Sequence, residues 1–486
     1  MLAKLIEHMA PQPQSPVTQG FFASFALRSC AWAERWFPDA YVFAALAIVV
    51  VAVIAVVAGA SPAAAANAFG DGFWTLIPFT MQMVFVLVGG YVVASSPPIL
   101  KLTNRLALWP RSGRGAVCLV AVISMLASLL HWGVSVVLSS LLVRALGRRA
   151  DLNMDYRAAG AAAYLGLGTV WAMGLSSSAA QLQANPASMS PALLAITGVI
   201  PFTETIFLWQ SMLMTAVIIA VSAFIAWRSA PTGEAALTAA KLQVMVPDDE
   251  PAATPTAPRP AEGLERSPLL NLLLAGMGAV WLLREFSTKG VIGAISSLNT
   301  YNFLFLMLGL LLNWRPRRFL DAVTRIVPAT AGILIQFPLY GGIAAILTGA
   351  KDGAGHSLAQ HLSGFFARIA TGETFPLVMG AYSAVLGFVV PSGGGKWIVE
   401  APYVMQAANE LHVHLGWAVQ VYNAAEAMPN LINPMWMLPL LGIIGLKARD
   451  LIGFSFVQLL VHVPLVLFLL WALGLTLVYH PPVMPG

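Results

Sequence analysis

Charge and cysteine are what this 486-residue sequence has least of. Only 10% of its residues are Asp, Glu, Lys or Arg, well below the roughly 25% of an ordinary soluble domain. Two cysteines, Cys30 and Cys118, supply neither a disulfide framework nor a thiolate metal cluster. Nucleotide-binding machinery is missing as well. The run "SGGGKW" carries glycines and a lysine, but its first glycine is misplaced for a phosphate loop, and Trp397 stands where Ser or Thr would hold Mg²⁺. No nucleophile elbow is present, and His412 and His414 in "HVH" have no third metal ligand nearby in sequence. The polar start, with Glu7, His8 and several early prolines, lacks the basic-then-apolar layout of a cleavable signal peptide. Enzyme chemistry, redox chemistry and ATP hydrolysis therefore lose their usual residues.

What is present is apolar. Hydrophobic residues make up 58% of the chain and mean hydropathy is +0.77, the balance of a polytopic membrane protein. The isoelectric point near 9.3 is not a nucleic-acid signal, because the basic residues sit in short interhelical loops. Spans are expected near 41–59, 74–96, 157–185, 192–227, 268–286, 299–314, 326–349, 414–446 and 451–479. Two further segments, 115–143 and 373–405, are each interrupted near the middle, at "LLHWGVS" and "PSGGGK".

Loop charge decides whether those two segments cross. Lys101, Arg105, Arg111 and Arg114 precede the first, and Arg144, Arg148, Arg149 and Arg157 follow it. Both flanks favour the cytoplasm, so 115–143 is expected to enter and return as a re-entrant hairpin. The charges of "RPRR" and "LKARD" then also fall inside, which makes the N-terminus cytoplasmic and the C-terminus periplasmic. The segment 373–405 becomes a second hairpin, entering from outside.

The halves repeat. Phe69, Asp71 and Pro78 recur as Phe319, Asp321 and Pro328, and Gly89 and Gly90 recur as Gly341 and Gly342, before the hairpin tips align Gly133 with Gly393. The expected fold is all-α: about nine spans plus two hairpins, arranged as two inverted repeats, each with a hairpin and a broken transmembrane helix. Its parts are an N-terminal segment 1–40 with an interfacial amphipathic helix at "ALRSCAWAERWF", a first repeat 41–227, a flexible cytoplasmic linker 228–267, a connecting span 268–298 and a second repeat 299–486. "KLTNRLALW" and "SLAQHLSGFFARIA" read as horizontal connectors to the hairpins, or as ordinary loop helices.

Broken backbone at membrane depth must be buried in protein or line a watery cavity. In "PSGGGK" the glycines allow close main-chain approach, and the helix that starts there directs its free amides and positive dipole end at the cavity. Ser392, Gly393, Gly394 and Gly395 thus form a candidate anion nest that Lys396 can reinforce, although Lys396 can equally snorkel away. The opposing tip offers His131, Trp132, Gly133 and Ser135. The interrupted span "AMGLSSSAAQ" follows the first hairpin, and "AEAMPNLINPMW" follows the second, with Asn430 and Asn433 between prolines. Glu426 is the candidate carrier of a coupling ion, H⁺ or Na⁺, because a carboxylate inside a span is costly and usually functional. Glu204 in "PFTETIF" and Glu373 in "TGETF" fit helix starts. No cofactor beyond a coupling ion is expected. A transporter, a passive anion channel and a membrane enzyme using Ser392 with a distant histidine all remain open at this point.

"FVVPSGGGKWIVEAP", "GVIPFTETIF" and "AAEAMPNLINPMWMLPLLGIIGLKARDLIGF" resemble the bacterial short-chain fatty acid transporter family of the AtoE type, within the ion transporter superfamily. The resemblance covers about Trp32 to Leu477, without the linker. It implies secondary transport of a small monocarboxylate across the bacterial inner membrane by an elevator-like homodimer, with no nucleic-acid partner. It also implies substrate contacts at Ser135, Ser176, Ser177, Ser392, Gly393, Gly394, Asn430 and Asn433. "LHWGVS" departs from the superfamily's Ser-Asn-Thr type of tip, so the resemblance carries no sodium site to it.

Overall fold

The computed structural model describes residues 40–244, 262–389 and 393–484. The interfacial helix expected at 26–37, the middle of the linker (245–261) and Ser392 lie outside the described residues. Those described are helical, with no strand and two isolated bridges, Gly198–Val483 and Lys351–Ser357. Seven described helices are long and apolar enough to cross a membrane, and shorter apolar helices accompany them.

The same order of elements runs twice along the chain. The first half has Ala40–Val57, Pro62–Thr75, Ile77–Ala94, a short Pro97–Leu106, the paired helices Gly113–Leu130 and Trp132–Gly147, the interrupted Tyr156–Gln183, and Trp209–Ser229. The second has Leu298–Asn313, Pro316–Ile326, Ala331–Gly349, Leu358–Ile369, the pair Phe375–Val389 and Gly393–Glu410, the interrupted Leu415–Asn430 and Pro434–Ile444, and Ala448–Gly474. Leu269–Ser296 connects them. The sequence pairs Phe69/Phe319 and Asp71/Asp321 fall in matching helices. Gly341 and Gly342 have a packing reason: a Cβ at Gly341 would lie 2.7 Å from the Gly72 carbonyl oxygen, and one at Gly342 would overlap the Phe69 ring. Only bare backbone lets Pro62–Thr75 and Ala331–Gly349 approach so closely.

Both helix pairs are hairpins whose ends lie together. Arg149 donates to the carbonyls of Ala107 at 2.9 Å and Pro110 at 3.0 Å, so the loop leaving the first pair is tied to the loop that enters it. In the second, a Cβ at Gly372 would sit 2.9 Å from the Leu411 carbonyl oxygen. The first hairpin arm and the helix before the second hairpin start on caps that the sequence supplies, Ser112 accepting from Gly115 and the Ser357–Gln360 capping box.

Two expectations need revision. The span 192–227 is two pieces, Pro191–Thr197 and Trp209–Ser229. Gly198 at φ +61° and Pro201 break it, and the Val483 backbone occupies the space a side chain at Gly198 would need. The first part of the linker is docked rather than free: the Tyr156 amide donates to Leu237 at 2.9 Å, the Leu237 amide to Asp155 at 3.0 Å, and Arg114 to the Ala230 carbonyl at 3.2 Å. Buried Asp155 draws the segment in, which linker composition alone does not reveal.

Candidate functional site

At the first tip a single residue, His131, separates two helices. Its extended backbone (φ −164°, ψ 114°) ends Gly113–Leu130, and its ring accepts from the Gly133 amide at 3.2 Å to cap Trp132–Gly147. The Trp132 amide is taken by Ser176 Oγ at 3.1 Å. The fully buried His131 ring lies over Gly90, where no side chain would fit, stacks on Tyr301 and lies tilted against Phe305. This tip closes its own amides with protein groups.

Below it, serines of the first hairpin repair the interrupted span. Tyr156–Leu165 runs into a π-helical turn, Gly166–Val170, then one 3₁₀ turn, Trp171–Met173, before helix resumes at Ser178. Such widening strands backbone groups. Ser128 donates to the Gly166 carbonyl at 2.9 Å, and Ser124 donates to the Ala163 carbonyl at 2.6 Å while accepting from the Gly166 amide at 2.9 Å. Ser135, expected at the substrate, donates to the Ser124 carbonyl at 2.7 Å and binds the hairpin's two arms together.

The second tip meets both interrupted spans. Tyr422 donates its hydroxyl hydrogen to the Gly393 carbonyl. The Trp171 ring covers Gly393, where a Cβ would lie 2.8 Å from Trp171 Cζ2, and a Cβ at Gly394 would lie 3.2 Å from Ser178 Cβ and 3.3 Å from the Phe337 ring. Ser177 caps the resumed helix and donates to Asn423 Oδ1 at 3.0 Å, which links the two interrupted spans. They touch again where Leu431 fills the space beside Gly168. Leu415–Asn430 is closed by Tyr164, whose hydroxyl donates to the Asn430 carbonyl at 2.8 Å. Several buried polar atoms here have no partner among the described residues: the indole nitrogens of Trp171 and Trp397, Asn430 Oδ1 and Gln420 Nε2. An indole ring over a glycine helix N-terminus, with unpartnered indole donors on Trp171 and Trp397, is chemistry for an anion.

Lys396 does not serve the nest. Its ammonium is fully buried and donates to Ser383 O at 2.7 Å and Ser383 Oγ at 2.9 Å, with Glu426 Oε2 at 2.7 Å and Glu400 Oε1 at 3.4 Å. The Tyr422 ring lies 4.8 Å from it. An ammonium has three hydrogens. Ser383 takes two of them, and the ion pair with Glu426 is closer than that with Glu400, which leaves Glu400 as the acid in excess. Both acids are 0–1% exposed, and Glu426 Oε1 has no hydrogen-bond partner among the described residues. The cluster joins both arms of the second hairpin to the second interrupted span. Gly387 is its roof, since a Cβ there would lie 3.4 Å from both Glu426 Oε2 and Lys396 Nζ.

The predicted residues therefore fall into three groups. Gly393, Gly394 and Ser177 gather with Trp171, Tyr422 and Asn423, while Asn430 lies further along the same span, against Tyr164. Glu426 and Lys396 form the charged cluster, while His131, Trp132, Gly133, Ser135 and Ser176 build the first tip. Trp132 also reaches Trp436, centroids 6.3 Å apart, in the helix Pro434–Ile444 that follows Asn433. Gly395 lies in the first turn of Gly393–Glu410, and Ser392 is outside the described residues. Sequence reasoning does not single out Glu400 or Ser383. The spacing of four between Lys396 and Glu400 is a signal for the first; a lone serine in "AYSAVLGF" gives none. Glu373 sits exposed in the turn capped by Thr371 and Thr374.

Two hairpins whose tips meet two interrupted spans, within an apolar helical shell, define a membrane transporter rather than an enzyme. The family described as "Short chain fatty acid transporter" matches residues 22–475, and the chain belongs to it. It is 33% identical over 430 residues to the "Putative short-chain fatty acid transporter" of Escherichia coli (strain K12), covering 88% of this chain and 94% of that one. A protein of the same description from Haemophilus influenzae is 30% identical over 440 residues, covering 89% and 96%. Among solved structures, the fold resembles Neisseria gonorrhoeae MtrF, from a class of antimetabolite efflux pumps, with TM-score 0.60, 14% identity and coverage of 94% of this chain and 100% of that chain. It also resembles the Alcanivorax borkumensis YdaH transporter, with TM-score 0.57, 14% identity and coverage of 90% and 98%.

Proposed function

We propose that the protein is a proton-coupled secondary transporter of short-chain monocarboxylates in the bacterial inner membrane. The substrate carboxylate binds at the N-terminus of Gly393–Glu410, aided by the Trp171 and Trp397 indoles, and Glu400 with Glu426 carries the proton. The observation that bears the reading is the charge of the buried cluster. One ammonium against two carboxylates leaves 1 − 2 = −1. An unbalanced charge at that depth is costly, by several kcal/mol in real proteins. A proton shared by the two acids removes it, and the pair titrates as a unit.

The tip supports a short substrate. Trp171, Phe337 and Ser178 close around Gly393 and Gly394, which leaves a carboxylate head the polar groups and its tail only aromatic surface. Because the cluster ties the hairpin to the span that carries Tyr422 and Asn423, its protonation and the tip's occupancy act on one mechanical unit. The recurring element order, with basic loops flanking the first hairpin, supports inverted repeats with re-entrant hairpins and a cytoplasmic N-terminus. An elevator-like homodimer fits the outer face of Leu269–Ser296, where Leu273, Met277, Val280 and Leu283 are exposed.

Counterflow of labelled acetate, butyrate, acetoacetate and succinate into preloaded proteoliposomes tests the substrate class. The expected order is monocarboxylates well above succinate, beyond protein-free vesicles at alkaline pH where free-acid diffusion is small. Flux that never concentrates label under an imposed gradient would make the protein a channel.

A further inference from the structure

His412 and His414 lack a third donor nearby in sequence, but the fold brings one. His414 lies with Glu204 and His480, and one ligand atom from each falls within 4.8 Å of the others. His480 Nε2 is 2.9 Å from Glu204 Oε2, and the His414 and His480 rings are 5.2 Å apart at 87°. His412 turns elsewhere, against Tyr479.

The three residues come from separate stretches, each held in place by its own contacts. Glu204 ends a 3₁₀ turn, and its carbonyl lies so close to Gly416 that no side chain fits there. The tail bearing His480 is fastened by the Val199 amide, which donates to the Val483 carbonyl at 2.8 Å. His480 Nδ1 is 3.1 Å from the Pro481 carbonyl oxygen. That contact is the usual support of a metal-binding imidazole: the outer nitrogen donates to a carbonyl and the inner one keeps its lone pair for the metal.

We propose that Glu204, His414 and His480 bind a divalent transition cation of the Zn²⁺ type. Two imidazoles and one carboxylate suit Zn²⁺, with water completing the tetrahedron, and suit Mg²⁺ or Ca²⁺ poorly because those prefer oxygen throughout. His480 is 40% and Glu204 32% exposed, so an ion reaches them from solvent.

Binding has a consequence for the transport element. His414 caps Leu415–Asn430 by accepting the Trp417 amide on Nδ1 at 3.2 Å. Neutral His414 then carries its hydrogen on Nε2. A metal at Nδ1 takes that lone pair, and a metal at Nε2 moves the hydrogen onto Nδ1. Either way the helix that carries Tyr422, Asn423 and Glu426 loses its cap and is fastened to the C-terminal tail instead.

The test is Zn²⁺ titration by calorimetry on the purified full-length chain, without a polyhistidine tag, beside Mg²⁺ controls and thermal unfolding. One saturable Zn²⁺ site and a Zn²⁺-dependent rise in unfolding temperature are expected. His480→Ala and Glu204→Gln should each weaken affinity at least about tenfold. His414→Asn, which retains a capping side chain, should weaken it similarly while unfolding at the parent temperature without metal. His361→Ala, in a separate His–Asp pair, should change nothing. Absence of a saturable site, or affinity unchanged in His480→Ala and Glu204→Gln, would overturn the proposal.

Discussion

Replacing Lys396 with methionine removes the ammonium while keeping a long unbranched side chain. In the parent, Nζ contacts Ser383 O and Oγ at 2.7 and 2.9 Å, Glu426 Oε2 at 2.7 Å and Glu400 Oε1 at 3.4 Å. Its loss takes the cluster from −1 to −2 and leaves two carboxylates buried together. Breaking a buried pair in this way costs about 3–5 kcal/mol. Adding Glu426→Gln returns the count to −1, so the double variant should recover a large part of that loss, with a coupling of about 2 kcal/mol or more. The deficit should also depend on pH. The stranded acids stay buried only by binding protons that the unfolded chain releases, so the stability of Lys396→Met falls as pH rises, by up to about 1.4 kcal/mol per unit per extra proton. Denaturant unfolding in bicelles, followed by tryptophan fluorescence, reads all four proteins. If Lys396→Met unfolds with the parent, or if Glu426→Gln costs the same with and without Lys396, the cluster is not an electrostatic unit.

Other substitutions separate support from binding. Gly387→Ala places a Cβ 2.6 Å from Pro429 Cγ, above the cluster, and should cost about 1–3 kcal/mol by overpacking, with slower transport. Ser135→Ala should lower stability by about 0.5–1.5 kcal/mol yet leave the half-saturating butyrate concentration unchanged, since its hydroxyl is committed to the Ser124 carbonyl. A lowered substrate affinity would return Ser135 to the binding site. Single cysteines at Ser112 and Gly147, in a background lacking Cys30 and Cys118, should react with an impermeant reagent from the same side; labelling from opposite sides would remove the re-entrant first hairpin.

The sequence announces its architecture because lipid punishes exceptions. An apolar run of span length is visible in composition, and "LLHWGVS" and "PSGGGK" are visible because polar breaks at that depth need a reason. What is less legible is how each break is satisfied. The residues of "LHWGVS" look alike as ligand groups, yet His131 caps the helix that starts beside it and Ser135 pins two arms, and the partner of Ser135, Ser124, is known only once the helices are paired. Lys396 reads as an anion binder from its place in the glycine run. Only three-dimensional packing shows that its ammonium is already bonded to Ser383 and ion-paired with Glu426. The cluster of Glu204, His414 and His480 is hidden for the same reason, since its members are far apart along the chain.

The most direct test compares the parent with Glu400→Gln in proteoliposomes, measuring both counterflow of labelled butyrate and its accumulation under an imposed proton gradient. Glu400→Gln leaves Lys396 paired with Glu426 and brings the cluster to 1 − 1 = 0, so it should fold and bind but have no excess acid to titrate. The predicted result is that both proteins exchange butyrate, while only the parent accumulates it with the proton gradient above protein-free vesicles. Gradient-driven accumulation by Glu400→Gln equal to the parent's would contradict the assignment of the coupling proton to this pair.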